Sequence, residues 1–410
     1  MRRTTGPCLV LAVTLVAGRQ ATATPLRLTV EEAVARAARV NLDLGLSRKD
    51  VDVAQAEFER SRAWFPSNPF FSTGLQHTSQ THFGPNYVFL LSQEIEIGLQ
   101  RSARIGAAEE QQAKATWDVK SAEQTVAATV KTVFLQAQID ADRVTLARQS
   151  VDAASQLLAD LTARPVATDL QRIEVNVARI QESRAKRELV SAERTRDNVV
   201  GTLRRALALP AEQEIELAGA PRTDLKELPA GPELIERALR ERPDLIALRH
   251  DTQRADRQLT LTRREAIPNV TLSATVSRFE GDTLAGGDIG LPLPVFRGKG
   301  ADLHEAVAER ERAGLQVQRL EELIRQEVVE ARRACVETAQ DLLTQQQDIV
   351  PRSEENYRLQ QRQFERGAVS VSDLVGLQID LITARRDYLD ALEAYNSALI
   401  ELERLIGGSL

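Results

Sequence analysis

The second half of this chain repeats the first half at one constant spacing. When the 410-residue sequence is compared with itself at an offset of 201 positions, identical residues coincide without a gap. The coinciding pairs are Arg36 and Arg237, Ala37 and Ala238, Arg39 and Arg240, Asp43 and Asp244, Leu44 and Leu245, Arg48 and Arg249, Asp50 and Asp251, Ala54 and Ala255, Arg62 and Arg263, Asn68 and Asn269, and Ser72 and Ser273. A repeat this long holds several secondary-structure elements per copy, so fold and function must be inferred from the doubled unit.

The composition favours long helices over a compact aromatic core. Aromatic residues make up only 4% of the chain and Met occurs once, whereas charged residues reach 27%. Small and straight-chain residues dominate, and the apolar ones recur at steps of three and four. This composition is typical of long helices that pack side by side.

The N-terminal residues have the features of a secretory signal peptide. Arg2 and Arg3 precede an apolar stretch over 8–18 that is too short to span a bilayer, and the small residues at 21–23 fit a cleavage site. We therefore predict a signal peptide over 1–23 and export from the cytoplasm. Loss of these basic residues makes the net charge more negative than −6, which argues against a nucleic-acid partner.

Each copy is predicted to contain helices, a β-hairpin and a long helical hairpin. Thr29 followed by Glu32 resembles a capping box at the first helix, and Pro66 and Pro268 end the helices that precede the strands. The predicted first repeat is 24–220, with a β-hairpin over about 68–98 and a helical hairpin over about 101–209; the second is 221–410, with a β-hairpin over about 269–296 and a helical hairpin over about 300–406.

Both predicted β-hairpins alternate between apolar and polar residues. The alternating apolar positions are Tyr87, Phe89, Leu91, Ile95 and Ile97 in the first copy, and Ile289, Leu291, Leu293 and Val295 in the second. Ser92, Glu94 and Glu96 fall on the opposite side. Strands of about 9 to 11 residues suit a tilted transmembrane β-strand. A soluble hairpin with one buried face has the same pattern, and the alternation alone does not separate the two.

The helical segments that follow are unusually long. Some sixty residues run from Ser102 to about Ala163, and again from Ala301 to about Glu365 with one interruption at Pro351. At 1.5 Å per residue such a helix extends roughly 90 Å. The second helix carries a narrow apolar seam over Leu320, Ile324, Val328, Ala331, Cys335 and Leu342. We predict that Cys335 is a packing residue on this seam.

Short turns end the long helices, and a returning helix follows each turn. Thr168 and Ser372 are predicted to cap the returning helices, which run to about Leu209 and about Ile406. Asp169 and Asp373 are favourably placed at the positive ends of these helices.

The sum of these parts resembles the TolC-type outer-membrane efflux protein family. The passage Ser92-Gln-Glu-Ile-Glu-Ile-Gly-Leu-Gln-Arg-Ser-Ala-Arg-Ile105 resembles the strand-to-helix passage of its heavy-metal branch, typified by cobalt, zinc and cadmium resistance channels. The passage Gly290-Leu-Pro-Leu-Pro-Val-Phe296 resembles its partner in the second copy. The sequence departs from this branch at Leu99 and Gln100, where Gly-Lys is usual.

The resemblance implies a homotrimer in the bacterial outer membrane. Four strands cannot close a barrel alone, whereas three copies supply twelve strands that can close around a lumen. The implied fold is mostly α with a transmembrane β part, a trimeric 12-stranded β-barrel that a periplasmic α-barrel continues. Glu94 and Glu96 are expected to face a wet lumen. The residues expected to face lipid are Phe71, Leu75, Tyr87, Phe89 and Leu91.

The resemblance also implies roles for the two turns. In the family, the tips of the helical hairpins contact the periplasmic adaptor of an inner-membrane pump, and polar residues close the pore entrance. The positions implied at the entrance are Thr168, Asp169 and Asp373. Those implied to contact the adaptor are Val166, Ala167, Leu170, Gly367, Ala368, Val369, Ser370, Val371, Ser372 and Leu374. Val369 stands where an entrance-locking Arg is common, and Gly376 where a second Asp can occur.

The predicted function is that of a passive conduit in a tripartite efflux system, with heavy-metal cations as one candidate substrate. The sequence has no phosphate-binding loop, no His-Glu-x-x-His and no Gly-x-Ser-x-Gly, so we predict neither an enzyme nor a cofactor. His77 and His82 are expected in an exposed turn and not at a metal site. Two alternatives remain open here: a conduit for type I protein secretion, and an exported coiled-coil spacer that does not conduct.

Overall fold

The computed structural model describes residues 26–76, 85–163, 168–294 and 298–410. The predicted signal peptide therefore lies outside the described residues, as do Val166, Ala167, Val295 and both histidines of the predicted exposed turn. Within the described ranges, none of the helices is both long enough and apolar enough to cross a membrane.

The two halves of the chain follow the same order of elements. The first half contains β1 (Leu26–Leu28), α1 (Val30–Val40), α2 (Leu42–Ser61), β2 (Phe70–Gln76), β3 (Asn86–Ile95), α3 (Gln100–Thr162) and α4 (Asp169–Ala206). The second contains β4 (Ile215–Leu217), α5 (Gly231–Glu241), α6 (Pro243–Arg264), β5 (Val270–Phe279), β6 (Asp282–Gly290), α7 (Gly300–Thr344), a π-helical segment (Gln345–Ile349), α8 (Val350–Glu365) and α9 (Val371–Leu405).

The first helix begins as its sequence predicts. The Thr29 hydroxyl accepts the Glu32 backbone N–H at 3.3 Å, and the Glu32 carboxylate accepts the Thr29 N–H at 2.9 Å, so both halves of the capping box form. The short parallel pair of β1 and β4, which sets Leu26 opposite Ile215, was not predicted. Three residues per strand are too few to show an alternation.

The four longer strands form one antiparallel sheet in the order β2-β3-β5-β6. The central pair joins the two halves of the chain, with Leu91 opposite Ala274 and Ser92 opposite Ser273. The prediction of the last strand was wrong in its extent, because β6 already ends at Gly290. Leu291 and Leu293, which were predicted to belong to it, lie beyond its end. Pro292 and Pro294 have no backbone N–H to donate, so the strand ladder cannot continue through them.

Helix α9 packs against α3 and α7 in the largest buried cluster. The predicted seam of α7 is confirmed, since Ile324, Val328, Cys335 and Leu342 are all buried in this cluster. Burial raises the pKa of the Cys335 thiol to about 11, so it remains protonated and packs as a small apolar residue. A second cluster holds α1 and α3 together around Phe134.

The single break in the long second helix lies just before Pro351. The π-helical segment Gln345–Ile349 separates α7 from α8, and Pro351 is the second residue of α8. Proline cannot donate to the carbonyl four residues earlier and its ring crowds that carbonyl, so a regular α-helix is disfavoured at this point. The corresponding part of α3 is continuous α-helix.

Two side chains of α9 fasten the connection between the two halves of the chain. The Tyr395 hydroxyl accepts the Lys226 N–H at 2.8 Å and contacts the Asp224 carbonyl at 3.4 Å. Asn396 accepts the Arg222 N–H at 3.1 Å and donates to the Arg222 carbonyl at 2.9 Å. The segment between β4 and α5 is therefore held against the core although it has no regular structure.

We expect the Tyr395→Phe substitution to loosen this connection. Loss of the hydroxyl leaves the Lys226 N–H without its acceptor, at a cost of about 1–3 kcal/mol. Amide hydrogen exchange over 222–228 should therefore accelerate. Tyr388→Phe on the same helix is the matched control, because the Tyr388 ring packs against the same cluster. Equal exchange rates in the two variants would contradict the assigned role of Tyr395.

Candidate functional site

The sheet has one apolar face and one largely polar face. The register sets Phe71 opposite Leu91, Thr73 opposite Phe89 and Leu75 opposite Tyr87, and directly paired residues share a face. All five residues predicted to face lipid therefore lie on the same side. Leu272, Val276 and Ile289 of the second hairpin extend this side.

The apolar face is exposed in the single chain. Phe71 is 62% exposed and Leu75 is 79% exposed, and Phe89 and Leu91 are exposed as well. The rings of Phe71 and Phe89 stack with centroids 6.4 Å apart, and the Tyr87 ring lies 5.3 Å from that of Phe89. A continuous exposed apolar surface of this kind marks a face that meets lipid or another protein.

The opposite face carries small and hydroxylated side chains. Its members include Ser72, Ser92, Thr271, Ser273, Thr275, Ser277 and Asp288, and it also carries the apolar residues Phe70, Val88, Leu90, Phe279 and Leu284. Such a face suits contact with water. The alternation predicted from the sequence is therefore present on β3, whereas on β6 only Ile289 of the predicted positions lies within the strand.

The passage from β3 into α3 is held by buried polar contacts. Gln100, which is 2% exposed, accepts the Gly98 N–H at 2.8 Å and donates to the Ile267 carbonyl at 3.0 Å. This glutamine ties the end of the first hairpin to the start of the second. Leu99 before it adopts a left-handed conformation with φ of 60°. A leucine is strained there, whereas the glycine usual in the resembled branch is not.

The two glutamates at the end of β3, Glu94 within the strand and Glu96 just after it, do not both face water. Glu94 accepts hydrogen bonds from Asn269 at 2.8 Å and from Ser67 at 3.3 Å. Glu96 forms an ion pair with Arg104, and its side chain is only 8% exposed. The expectation that Glu96 faces a wet lumen was therefore wrong for this chain. Arg104 could not be identified as the partner of Glu96 from the sequence, because it lies a full turn inside the following helix.

The ends of the two helical hairpins pack together in one buried cluster, which we call the tip cluster. It contains Leu157 and Leu161 of α3, Ala178 of α4, and Val371, Leu374 and Val375 of α9. Tyr357 and Phe364 of α8 pack against it. Val371 and Leu374 were predicted to contact an adaptor, but their side chains are 1% and 5% exposed and point into this cluster.

Helix α4 begins with the predicted cap. The Thr168 hydroxyl accepts the Gln171 N–H at 3.3 Å, and the Gln171 side chain accepts the Thr168 N–H at 3.1 Å. The capping role of Thr168 is thus confirmed. Asp169 is the first helical residue, where its charge meets the positive end of the helix. Leu170 beside it is 66% exposed.

Helix α9 begins two residues earlier than predicted, and Ser370 caps it instead of Ser372. The Ser370 hydroxyl accepts the Asp373 N–H at 3.2 Å, and the Asp373 carboxylate accepts the Ser370 N–H at 3.2 Å. Ser372 is an exposed residue in the first turn. The Ser-x-x-Asp spacing from 370 to 373 was a usable signal, because it places a capping pair three residues apart.

The capping contacts lower the pKa of Asp373. The Ser370 hydroxyl, 2.7 Å from the carboxylate, is the main cause, and the Ser370 backbone N–H adds to it. A lowered pKa means that this contribution to stability is present above the carboxyl's ordinary pKa and is lost as the pH falls through the folded-state value. Asp373 is therefore ionised at neutral pH.

Gly367 ends helix α8 in a left-handed conformation with φ of 73°. Its N–H donates to the Phe364 carbonyl at 2.9 Å, and the Ala368 N–H donates to the Gln363 carbonyl at 3.0 Å, the two bonds of a Schellman motif. The motif leaves Gly367 and Ala368 exposed at the turn, with Val369 partly covered. Gly367 and Ala368 can therefore contact another protein at this turn, whereas Val371 is buried.

Among the described residues, no group of three or more His, Cys, Asp or Glu side chains is arranged to hold a metal ion. His250 lies with its Nδ1 2.8 Å from Glu110 Oε2, and this pair joins α6 to α3. Asp169 and Asp373 lie in the first turns of two different helices, α4 and α9.

Comparison with known proteins agrees with this geometry. The sequence model of the outer membrane efflux protein family matches residues 33–209 and 234–408. The chain is 25% identical over 387 residues to the cobalt-zinc-cadmium resistance protein CzcC of Cupriavidus metallidurans, an alignment that covers 93% of this chain and 90% of CzcC.

Solved structures share the fold at lower sequence identity. A crystal structure of CusC aligns with a TM-score of 0.78 and 15% identity, over 93% of this chain and 92% of that one. The open state of the MtrE outer membrane channel of Neisseria gonorrhoeae aligns with a TM-score of 0.78 and 16% identity, over 93% of this chain and 89% of that one.

The chain belongs to the outer membrane efflux protein family, because the family match covers most of its length in two segments. It is an outer-membrane efflux component and a passive conduit, not an enzyme. The predicted family is confirmed. This membership removes the alternative of a spacer that does not conduct.

We expect Ser370→Ala to destabilise the start of α9 by about 1 kcal/mol, the usual cost of a lost N-cap. Amide exchange over the first turn of α9 should increase. Ser372→Ala is the control, since that hydroxyl lies past the cap and its loss should leave the exchange unchanged. The assignment fails if Ser372→Ala has the larger effect.

Proposed function

We propose that three copies of the chain form the outer-membrane channel of a tripartite efflux system. The observation that carries the proposal is the sheet: four strands, one exposed apolar face, and outer edges on β2 and β6 that pair with no other described strand. Unpaired backbone groups cost several kcal/mol each in lipid. Pairing β6 of one copy with β2 of the next closes twelve strands and removes every edge.

In this proposal the apolar face meets outer-membrane lipid and the hydroxylated face lines the pore. Phe71, Leu75, Tyr87, Phe89 and Leu91 are the lipid-facing set on the first hairpin. The long helices continue the conduit into the periplasm as an α-barrel. Their length supports this, because the 63 residues of α3 extend roughly 95 Å at 1.5 Å per residue.

The tips are the proposed contacts of a periplasmic adaptor, which joins the channel to an inner-membrane pump. Of the residues that the sequence suggested as adaptor contacts, only those with exposed side chains can contact a partner directly. Leu170, Gly367, Ala368, Ser370 and Ser372 are exposed and Val369 is partly so. Val371 and Leu374 support the tip from inside. Val166 and Ala167 remain predictions from the sequence.

Heavy-metal cations are the proposed substrate class. CzcC is named for resistance to cobalt, zinc and cadmium, and its alignment covers nearly the whole chain. The proposed pore entrance has Thr168, Asp169 and Asp373 at helix starts, where three copies would bring several carboxylates near one another. Such a ring attracts cations. Type I protein secretion is the second candidate, and the resistance measurement below separates the two.

We expect Leu91→Lys to prevent stable assembly in the membrane, while Leu90→Lys is tolerated. The two leucines are neighbours on β3 with opposite faces, so the pair is a matched control. A lysine on the lipid face costs about 2–4 kcal/mol at the bilayer midplane, and one facing the lumen costs far less. The yield of trimer from outer-membrane fractions, by size-exclusion chromatography with light scattering, decides the matter. Equal trimer yields, or a monomeric unmutated protein, would refute the proposed barrel.

We expect Ala368→Glu to abolish resistance to cobalt, zinc and cadmium while trimer level stays unchanged. A bulky charge at the exposed turn should block the adaptor without disturbing the core. Ala56→Glu, an equivalent change on the exposed side of α2, is the control and should retain resistance. Should deletion of the gene leave metal resistance intact but stop export of a protein, the secretion alternative would replace metal efflux.

We expect Asp373→Asn to reduce the cation selectivity of single channels in a planar bilayer. The amide can still accept the Ser370 N–H, so the helix start is largely preserved while the charge is removed. Unchanged selectivity and unchanged block by multivalent cations would show that Asp373 is a cap alone.

A further inference from the structure

The connections between the helices and the strands lie together at one end of the sheet. Strand β2 begins at Phe70, opposite Ser92 of β3. Ile95 at the end of β3 pairs with Val270 at the start of β5, and the last residue of β6 pairs with the second residue of β5. The segments 60–69, 96–101, 263–269 and 291–294 therefore form one band between sheet and helices, which we call the junction band.

Exposed apolar side chains continue from the sheet into the junction band. They include Trp64, Ile97, Leu99, Ile267, Leu291 and Leu293. Trp64 is 79% exposed and Leu99 is 72% exposed. An indole combines a large apolar ring with one N–H donor, a pairing that suits the boundary between hydrocarbon and water.

The exposed indole is held in place by the start of α3. The Arg101 guanidinium lies 4.5 Å from the centroid of the Trp64 ring. The same side chain donates from Nε to the Ala63 carbonyl at 3.1 Å and from Nη2 to the Arg62 carbonyl at 2.7 Å. Trp64 therefore keeps a defined position at the level where α3 begins.

The junction band also carries exposed positive charge. Arg60, Arg62 and Arg263 are exposed at the ends of α2 and α6. Arg62 and Arg263 occupy equivalent positions in the two repeats. Among the described residues, none of the three forms an ion pair with a carboxylate.

The carboxylates in and beside the band have other partners. Glu96 pairs with Arg104, and Lys299 pairs with both Glu265 and Asp302. Glu94 accepts from Asn269 and Ser67, and Glu59 accepts from Gln55. The three exposed arginines are therefore available to an anion from outside the chain.

Stabilisation of helix ends accounts for only part of this arrangement. Arginines at the C-terminal ends of α2 and α6 interact favourably with the helix dipoles. That interaction does not explain why large apolar side chains are exposed beside them. A surface with both features complements a membrane boundary, where hydrocarbon and phosphate groups lie within one short depth.

We infer that the junction band is a phospholipid-binding surface. Trp64 and the neighbouring apolar side chains lie at the edge of the hydrocarbon, and Arg62 and Arg263 contact headgroup phosphates of the periplasmic leaflet. A guanidinium group suits this role because its fork of N–H donors matches the oxygens of a phosphate. The inference rests on the proposed membrane channel and adds that the membrane ends where α3 begins.

The depth of Trp64 can be measured because the chain has only two tryptophans. The emission of Trp117→Phe reports on Trp64, and that of Trp64→Phe reports on Trp117. Trp117 lies on α3 about 24 Å beyond Arg101 at 1.5 Å per residue, so it is the matched control. Both full mature chains are reconstituted in vesicles of phosphatidylethanolamine and phosphatidylglycerol.

We expect a nitroxide on the lipid headgroup to quench Trp64 several-fold more strongly than Trp117. Iodide in the water should quench Trp117 more strongly than Trp64. Equal quenching of the two tryptophans by the headgroup nitroxide would overturn the proposal. So would strongest quenching of Trp64 by a nitroxide deep in the acyl chains.

The arginines are tested by the choice of lipid near Trp64. Phosphatidylglycerol and phosphatidylcholine carry the same shallow acyl nitroxide and are compared at equal mole fraction. We expect several-fold stronger quenching of Trp64 by the anionic lipid, and loss of this preference when Arg62→Gln and Arg263→Gln are combined. Arg319→Gln, at an exposed position on α7, is the control and should keep the preference. Equal quenching by the two lipids in the Trp117→Phe chain, or a preference kept by the double variant, would refute phosphate binding.

Flotation of the vesicles separates this inference from the proposed channel. Protein that does not float with the vesicles contradicts the placement of the sheet in a membrane. Protein that floats, but whose Trp64 is quenched by iodide and not by the lipid nitroxide, contradicts the role of the junction band alone.

Discussion

The unpaired outer edges of the four-stranded sheet are the constraint on which the rest of this structure depends. The N–H and C=O groups that face outward from β2 and β6 have no strand to pair with among the described residues of one chain. In water such edges are tolerable, but in lipid they are costly, and the exposed apolar face supports the proposed placement of this sheet in lipid. In the proposed trimer, closure through the other copies would satisfy the edges, and the helical hairpins would then lie side by side around the same axis.

Continuity between sheet and helices depends on the short passage after β3. Gln100 connects Gly98 with Ile267, and Arg104 of α3 pairs with Glu96. These contacts hold α3 in its direction relative to the sheet. Leu99 does not contribute to this, because as the N-cap residue of α3 it makes no side-chain capping hydrogen bond and adopts a strained left-handed conformation. The buried contacts of Gln100 and Glu96 offset that strain. The connection from β3 to α3 can therefore form with Leu99-Gln100 at the two positions where the resembled branch usually has Gly-Lys.

Periodic features were predictable from the sequence, and long-range polar contacts were not. The α7 seam and the two faces of the sheet follow from spacing alone, because each repeats along one element. Glu96 was misplaced because its partner Arg104 is identified only by the fold. Val371 was misassigned for a similar reason: a valine in a turn has no pattern that separates a surface position from one packed against a neighbouring hairpin.

The capping role of Asp373 is compatible with the entrance role proposed for it, because the hydrogen bonds from Ser370 use only one of the two carboxylate oxygens. The hydrogen bonds from Ser370 all reach Oδ2, both from the backbone N–H at 3.2 Å and from the hydroxyl at 2.7 Å. The residue is exposed, and the same contacts lower the pKa of its carboxyl, so the capped side chain carries the negative charge that a cation would meet at the proposed entrance. The capping hydrogen bonds and the electrostatics proposed for the pore therefore both require the same ionised carboxylate, and neither role excludes the other.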